Sequence, residues 1–212
     1  MLGDPLTILV QGIALGVGLC CTVGPQSIFV LRQGMHGEAA LRTATICSLG
    51  DLGMILAGAA GFGLVLTSLP ALASAANGAG AIFVMLYGVK MLLEGWRRKS
   101  GAACEGEAAH RRACATMTAL ALTLLNPQVY LEMVGLVGSI AIRFPVGDRA
   151  VFALGVMLVS PVWFYSLALG GQRLSALFGH HQVLRVVDLA TGVATLGVGT
   201  AMAGAEAMPA VP

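Results

Sequence analysis

The stretch LTILVQGIALGVGLCCTVGPQSIFVL, from Leu6 to Leu31, runs for 26 residues without a charged side chain. One crossing of a lipid bilayer takes roughly 20 apolar residues, so this run is long enough to span, and it is too long for the apolar core of a secretory leader. Met1 to Pro5 carries Asp4 and no basic residue, so no signal peptide is expected and the first span stays in the chain. Five further runs of the same kind follow: Thr43 to Leu69, Ala71 to Leu93, Ala113 to Ile142, Val151 to Leu169, and Val183 to Met202. The expected fold is an all-α integral membrane protein with six transmembrane helices.

Composition agrees with this reading. Charged residues make up 10% of 212 and hydrophobic residues 57%, whereas about a quarter of a soluble domain is charged. That excludes a water-soluble globule, and it equally excludes a disordered chain, which needs low hydrophobicity and high charge. Little length remains for a folded aqueous domain, so any function is expected inside the membrane.

The net charge of +2 has meaning through its placement. If the loops after spans one, three and five share a side, that side holds ten of the twelve basic residues, leaving Arg143 and Arg149 opposite. The positive-inside rule then puts the polar segment Glu94 to Arg112 in the cytoplasm and both termini outside. Such a basic loop also suits contact with anionic lipid.

Five cysteines, an odd number without a CxxC pair, do not describe a disulfide framework. The four histidines fall at the predicted cytoplasmic ends. No metal site, no cofactor and no enzymatic activity are expected, and nothing suggests a nucleic-acid partner.

Six spans divide into three plus three. Because three is odd, the second half starts on the opposite side, which is the geometry of an inverted repeat. The predicted units are residues 1–93 and 113–212, joined by the basic loop 94–112. Corresponding helices then carry matching interruptions, Gly24-Pro25 in span one and Asn126-Pro127 in span four. Each proline removes a backbone donor and breaks or bends its helix, and in hydrocarbon such breaks persist where they face protein or a water-filled cavity. Gln26, Ser27, Thr22, Thr123 and Asn126 supply polar groups nearby. Ser160-Pro161, followed by Trp163, Phe164 and Tyr165, reads as a kink with lipid-facing or packing aromatics. Gly12 and Gly16 form a GxxxG, and Gly192, Gly197 and Gly199 give span six a small-residue face, both suited to close helix packing. A homo-oligomer would also suit these faces, though nothing in the sequence indicates one.

Two acids fall inside spans. Asp51 lies about nine residues into span two and Glu132 five residues after Pro127. An ionised carboxylate there costs several kcal/mol, and no basic residue is placed as deeply. The missing cation is then the cargo, a proton, or both. Broken helices expose N-terminal amides that favour an anion such as a substrate carboxylate. A small zwitterion with an extra positive charge matches that mixture of groups. Asp188, three residues after Arg185, reads as the partner of a local ion pair at helical spacing.

These residues resemble the LysE-type amino-acid exporters, and more closely their arginine and lysine branch. The matching segments are GPQSIFVLRQG (Gly24 to Gly34), SLGDLGMILAG (Ser48 to Gly58), LNPQVYLEMVGLVGS (Leu125 to Ser139), FALG (Phe152 to Gly155), WFYSLAL (Trp163 to Leu169) and RVVDLATGV (Arg185 to Val193). The resemblance implies a small helical exporter of the bacterial inner membrane driven by the proton-motive force. It marks Pro25, Asp51, Asn126, Pro127 and Glu132 as functional positions. The branch usually has aspartate where Glu132 stands and asparagine where Ser27 stands. The expected substrate-binding set is Asp51, Glu132, Gln26, Ser27, Asn126 and Tyr130, with Gly24, Pro25 and Pro127 as helix breaks and Asp51 and Glu132 coupling protons. The expected function is export of arginine, lysine or both by proton antiport with alternating access. Rival readings are a thiol-disulfide electron conductor using Cys20, Cys21 and Cys114, an exporter of neutral amino acids, and a channel.

Overall fold

A computed structural model describes residues 4–22, 24–37, 39–61, 78, 82, 85–93, 96, 108–178, 186, 189–190, 192–193, 195–197 and 200. Most of the predicted third and sixth spans, most of the basic loop, Cys104 and the Arg185 to Asp188 pair lie outside these residues. Among the described residues the secondary structure is helical, with no strand.

Helix α1 (Pro5–Cys21) is followed by α2 (Pro25–His36), and α3 (Ala40–Ala59) comes next. Residues 85–93 are also helical. After them come α4 (Ala108–Leu124), the short α5 (Pro127–Val129), a π-helical segment (Tyr130–Leu136), α6 (Val137–Ala141) and the 33-residue α7 (Val146–Phe178). Helices α3 and α7 are each long and apolar enough to cross a membrane. The pair α1 and α2 meets the same test together, bent by 74°. The chain is thus an all-helical membrane protein over its described residues.

The interior is mostly apolar, and large apolar side chains cover the outside as well. Leu49 and Leu56 on α3 and Val162 on α7 face outward, as do many other large apolar residues. The buried set includes the polar Gln26, Ser27, Thr43, Ser48, Asp51, Thr123, Asn126 and Ser160. Lipid solvates the first group at no cost, while buried polar groups must find partners inside.

Helix α7 is the spine against which α1 and α2 are laid. A Cβ on Gly12 of α1 would overlap the Phe152 carbonyl oxygen, and one on Gly155 of α7 would overlap the Leu9 carbonyl. The same reciprocal contact recurs between Gly34 of α2 and Gly171 of α7, through the carbonyls of Ala168 and Leu31. Sixteen residues of α7 separate these crossings, about 24 Å of helix at 1.5 Å per residue. A third pair, Gly58 on α3 and Gly138 on α6, brings the second half onto the first. The expected close packing at Gly12 and Gly16 is present, with Val156 and Val159 of α7 as the partners of Gly16.

Element bounds differ from the sequence reading at span five and at the end of span one, and the fourth run starts earlier, at Ala108. The predicted span five, Val151 to Leu169, is the middle of a helix running from Val146 to Phe178, whose ends carry polar residues that an apolar count leaves out. Helix continues through Pro161 without interruption. Helix α2 stops at Gly37, which takes φ 78° and donates its N–H to the carbonyls of Gln33 and Gly34. That left-handed conformation is open to glycine without the Cβ penalty.

Candidate functional site

The two proline motifs are helix starts rather than kinks. Asn126 accepts from the backbone N–H of Gln128 through Oδ1 at 3.1 Å, and Pro127 opens the next helix. Asparagine as cap with proline at the first helical position is a favoured pairing, because proline lacks an N–H that would be unsatisfied there anyway. Gly24 and Pro25 repeat the arrangement, with one difference: Gly24 has no side chain, so no cap bond reaches the first turn of α2. In each motif the residue after proline is glutamine, and each glutamine reaches an acid.

Asp51 is 4% exposed on α3. Gln26 Nε2 donates to its Oδ1 at 3.3 Å and Ser160 Oγ to its Oδ2 at 2.9 Å. Glu132 sits in the π-helical segment and is half-buried. Gln128 Nε2 donates to its Oε1 at 2.8 Å, and the Thr22 hydroxyl, which donates to the Leu19 carbonyl at 2.6 Å, makes a longer contact with the same oxygen at 3.3 Å. Thr22 is the residue just after α1, so this contact ties the first break to the second. All these partners are neutral: among the described residues no lysine or arginine bonds to either acid. A π-helical turn is rare and often marks a functional site. Here it carries Glu132, and Tyr130 at its start donates its hydroxyl across the break to the Leu124 carbonyl at 2.8 Å.

Between the breaks lies a cavity with about 420 Å³ of empty space, counting its open mouth. Its polar lining comes from Thr22, Gly24, Gln26, Ser27 and Asp51 on one side and Asn126, Gln128 and Glu132 on the other. Leu19, Val129, Met133, Trp163 and Phe164 provide apolar wall, and the half-buried Cys20 also borders it. Trp163 Nε1 donates to Ser27 Oγ at 3.2 Å, which anchors the indole at the wall.

Of the expected site residues, Asp51, Glu132, Gln26, Ser27, Asn126 and Gly24 all line this cavity. Pro25 is buried at the start of α2, and Pro127 opens α5. Tyr130 is not among the lining residues; it braces the backbone across the break. Gln128, Ser160 and Trp163 join the site without being expected there from the sequence. Ser160, Trp163 and Phe164 stand at i, i+3 and i+4, one face of α7, and that face turns inward. Of the lipid-facing or packing aromatics expected there, Trp163 and Phe164 pack inward, while Tyr165, on the next face, meets Thr45 Oγ1 at 2.7 Å. The signal for Gln128 lies in setting GPQ beside NPQ.

The cysteines among the described residues, Cys20, Cys21, Cys47 and Cys114, are free thiols. No cluster that could hold a metal ion occurs among the described residues.

Comparison with known proteins gives a consistent answer. The putative amino-acid transporter YggA of Aeromonas salmonicida is 34% identical over 91% of this chain and 94% of its own length. The arginine exporter protein ArgO of Yersinia enterocolitica is 33% identical over 88% of this chain and 91% of its own. The arginine exporter protein ArgO of Serratia proteamaculans is 31% identical, covering 93% and 97%. No solved structure matches. The LysE type translocator family matches residues 17–205, nearly the whole chain, and the protein belongs to that family.

Proposed function

We propose that this protein is a secondary-active exporter of basic amino acids, arginine, lysine or both, working by proton antiport with alternating access. The observation that carries the reading is the pairing of Asp51 and Glu132 in one cavity, each held by neutral donors alone among the described residues. Two acids with no cationic partner among the described residues form a site that a cationic cargo and a proton can occupy in turn. The names of the Yersinia and Serratia relatives, both arginine exporters, support the same cargo.

The cargo's carboxylate goes to the first turn of α2, where no side chain caps the amides. The equivalent turn after Asn126 has its own cap and is the weaker anion site. The cargo's cation then lies toward the acids. Expelling a cation from an inside-negative cell costs about 2.3 kcal/mol per charge per 100 mV, and one entering proton per cargo molecule cancels that cost. Six spans in two inverted three-helix repeats, 1–93 and 113–212, would rock about the breaks. The basic loop 94–112 lies in the cytoplasm, both termini lie outside, and the membrane is the bacterial inner membrane.

The test is efflux of labelled arginine, lysine, leucine and threonine from preloaded proteoliposomes with an imposed proton gradient. Acceleration of arginine or lysine, coupled to proton entry, is expected. Export of leucine and threonine without the basic pair would overturn the cargo assignment, and flux that neither saturates nor responds to the gradient would make the protein a channel.

A further inference from the structure

Within the cavity the two acids are not equivalent. Asp51 has a donor on each oxygen, Gln26 on Oδ1 and Ser160 on Oδ2. Glu132 has one firm donor, Gln128 on Oε1, and the Thr22 hydroxyl, shared with the Leu19 carbonyl, lies 3.3 Å from the same oxygen. Glu132 Oε2 has no donor among the described residues.

Gln128 adds a second unpartnered acceptor, one enclosed beside Gly24 at the start of α2. Its Nε2 is committed to Glu132, while its Oε1 is buried and has no hydrogen-bond partner among the described residues. Turning the amide over would set an oxygen against the Glu132 carboxylate oxygen, so the orientation is settled by that neighbour. The side chain is also held from behind, because the backbone N–H of Gln128 is bound by the Asn126 cap. A buried acceptor with no donor is unfavourable unless something supplies one. Both atoms belong to cavity-lining residues one helical turn apart.

Resting on the export reading above, we infer that Gln128 and Glu132 form the seat of the cargo's cationic head, Gln128 Oε1 and Glu132 Oε2 each accepting an N–H from it. The occupant is a guanidinium or ammonium group. Such a head brings several donors and no acceptor, whereas a neutral alkyl side chain leaves both oxygens unpaired and an anionic one is repelled. Asp51, deeper and already holding a donor on each oxygen, is left to the proton. Gln128 is in this sense a specificity residue, and the NPQ motif places it.

The experiment uses the full chain in proteoliposomes preloaded with labelled arginine over a range of concentrations. Gln128→Met keeps length and removes the acceptor. Its half-saturation concentration for arginine is expected to rise by about tenfold or more, the size of one lost charge-assisted hydrogen bond, and to rise by more than the maximal rate falls. If that variant fails to fold, Gln128→Asn withdraws the amide by one methylene and is held to the same criterion. An unchanged half-saturation, with or without a lower maximal rate, overturns the seat while wild-type arginine export keeps the function standing. A wild-type protein that exports no basic amino acid overturns both.

Discussion

Ser160 on α7 donates its hydroxyl to Oδ2 of Asp51 on α3 at 2.9 Å, with both residues buried. The bond joins the helix that carries the deep acid to the helix that braces α1 and α2. Hydrogen bonds to an ionised group contribute roughly 1.5–3 kcal/mol, so Ser160→Ala should lower the thermal unfolding temperature of the purified protein and slow export. Ser160→Thr keeps the hydroxyl and should retain most of the export. An alanine variant with wild-type export and unfolding temperature would show the bond to be idle.

Asp51→Asn and Glu132→Gln keep shape while removing charge. Each should reduce arginine efflux from preloaded proteoliposomes by at least about tenfold, the effect of losing on the order of 1.4 kcal/mol of interaction with the cargo or proton. Proton-coupled export retained by both variants would remove the acids from the mechanism.

The glycines of α3 make a graded test of packing. Cβ atoms at Gly50 and Gly58 would collide with the Thr123 side chain and the Met133 carbonyl, whereas Gly53 has nothing within 4 Å. Gly58→Ala meets backbone and should destabilise most, by about 1–3 kcal/mol. Gly53→Ala should be neutral or add a few tenths of a kcal/mol through helix propensity. Thermal unfolding in one detergent ranks the three, and a loss at Gly53 equal to that at Gly58 would contradict the packing described above.

Asn126→Ala removes the cap of the second break and should cost about 1 kcal/mol. Asn126→Ser, which can still cap, should recover most of it. The same unfolding assay decides, and efflux on the two variants shows whether misplacing Gln128 and Glu132 also weakens arginine binding.

Replacing all five cysteines with serine should leave arginine export intact, since none of the bonds to Asp51 or Glu132 among the described residues involves sulfur. Export lost on that change and restored by returning Cys20, Cys21 and Cys114 would favour the electron-conductor reading.

Much of the site is legible in the amino-acid sequence. Gly24-Pro25, Asn126-Pro127, Asp51 and Glu132 stand out because prolines and acids are costly inside apolar runs, and cost is visible in one dimension. Their polar neighbours Gln26 and Ser27 follow from adjacency. Ser160 and Trp163 do not stand out, because a serine, a proline and aromatics are ordinary in a span until the direction of that helix face is known. Tyr130 has the position of a cargo contact, yet its hydroxyl bond to Leu124 makes it a backbone brace that no spacing rule reveals.

One-tenth charged residues and long apolar runs leave a helical membrane protein as the answer, so the solvent and the class of fold follow from composition and order alone. The helix breaks follow in the same way, because proline acts through its own ring and missing N–H. Three features come only from the packed molecule: which donor serves which acid, that among the described residues Glu132 Oε2 and Gln128 Oε1 have no donor while both oxygens of Asp51 do, and that α7 underlies both α1 and α2. Gln128 reaches Glu132 within one helical turn, but Thr22 with Glu132 and Asp51 with Ser160 are more than 100 positions apart, and such pairings arise from helix packing rather than from local pattern.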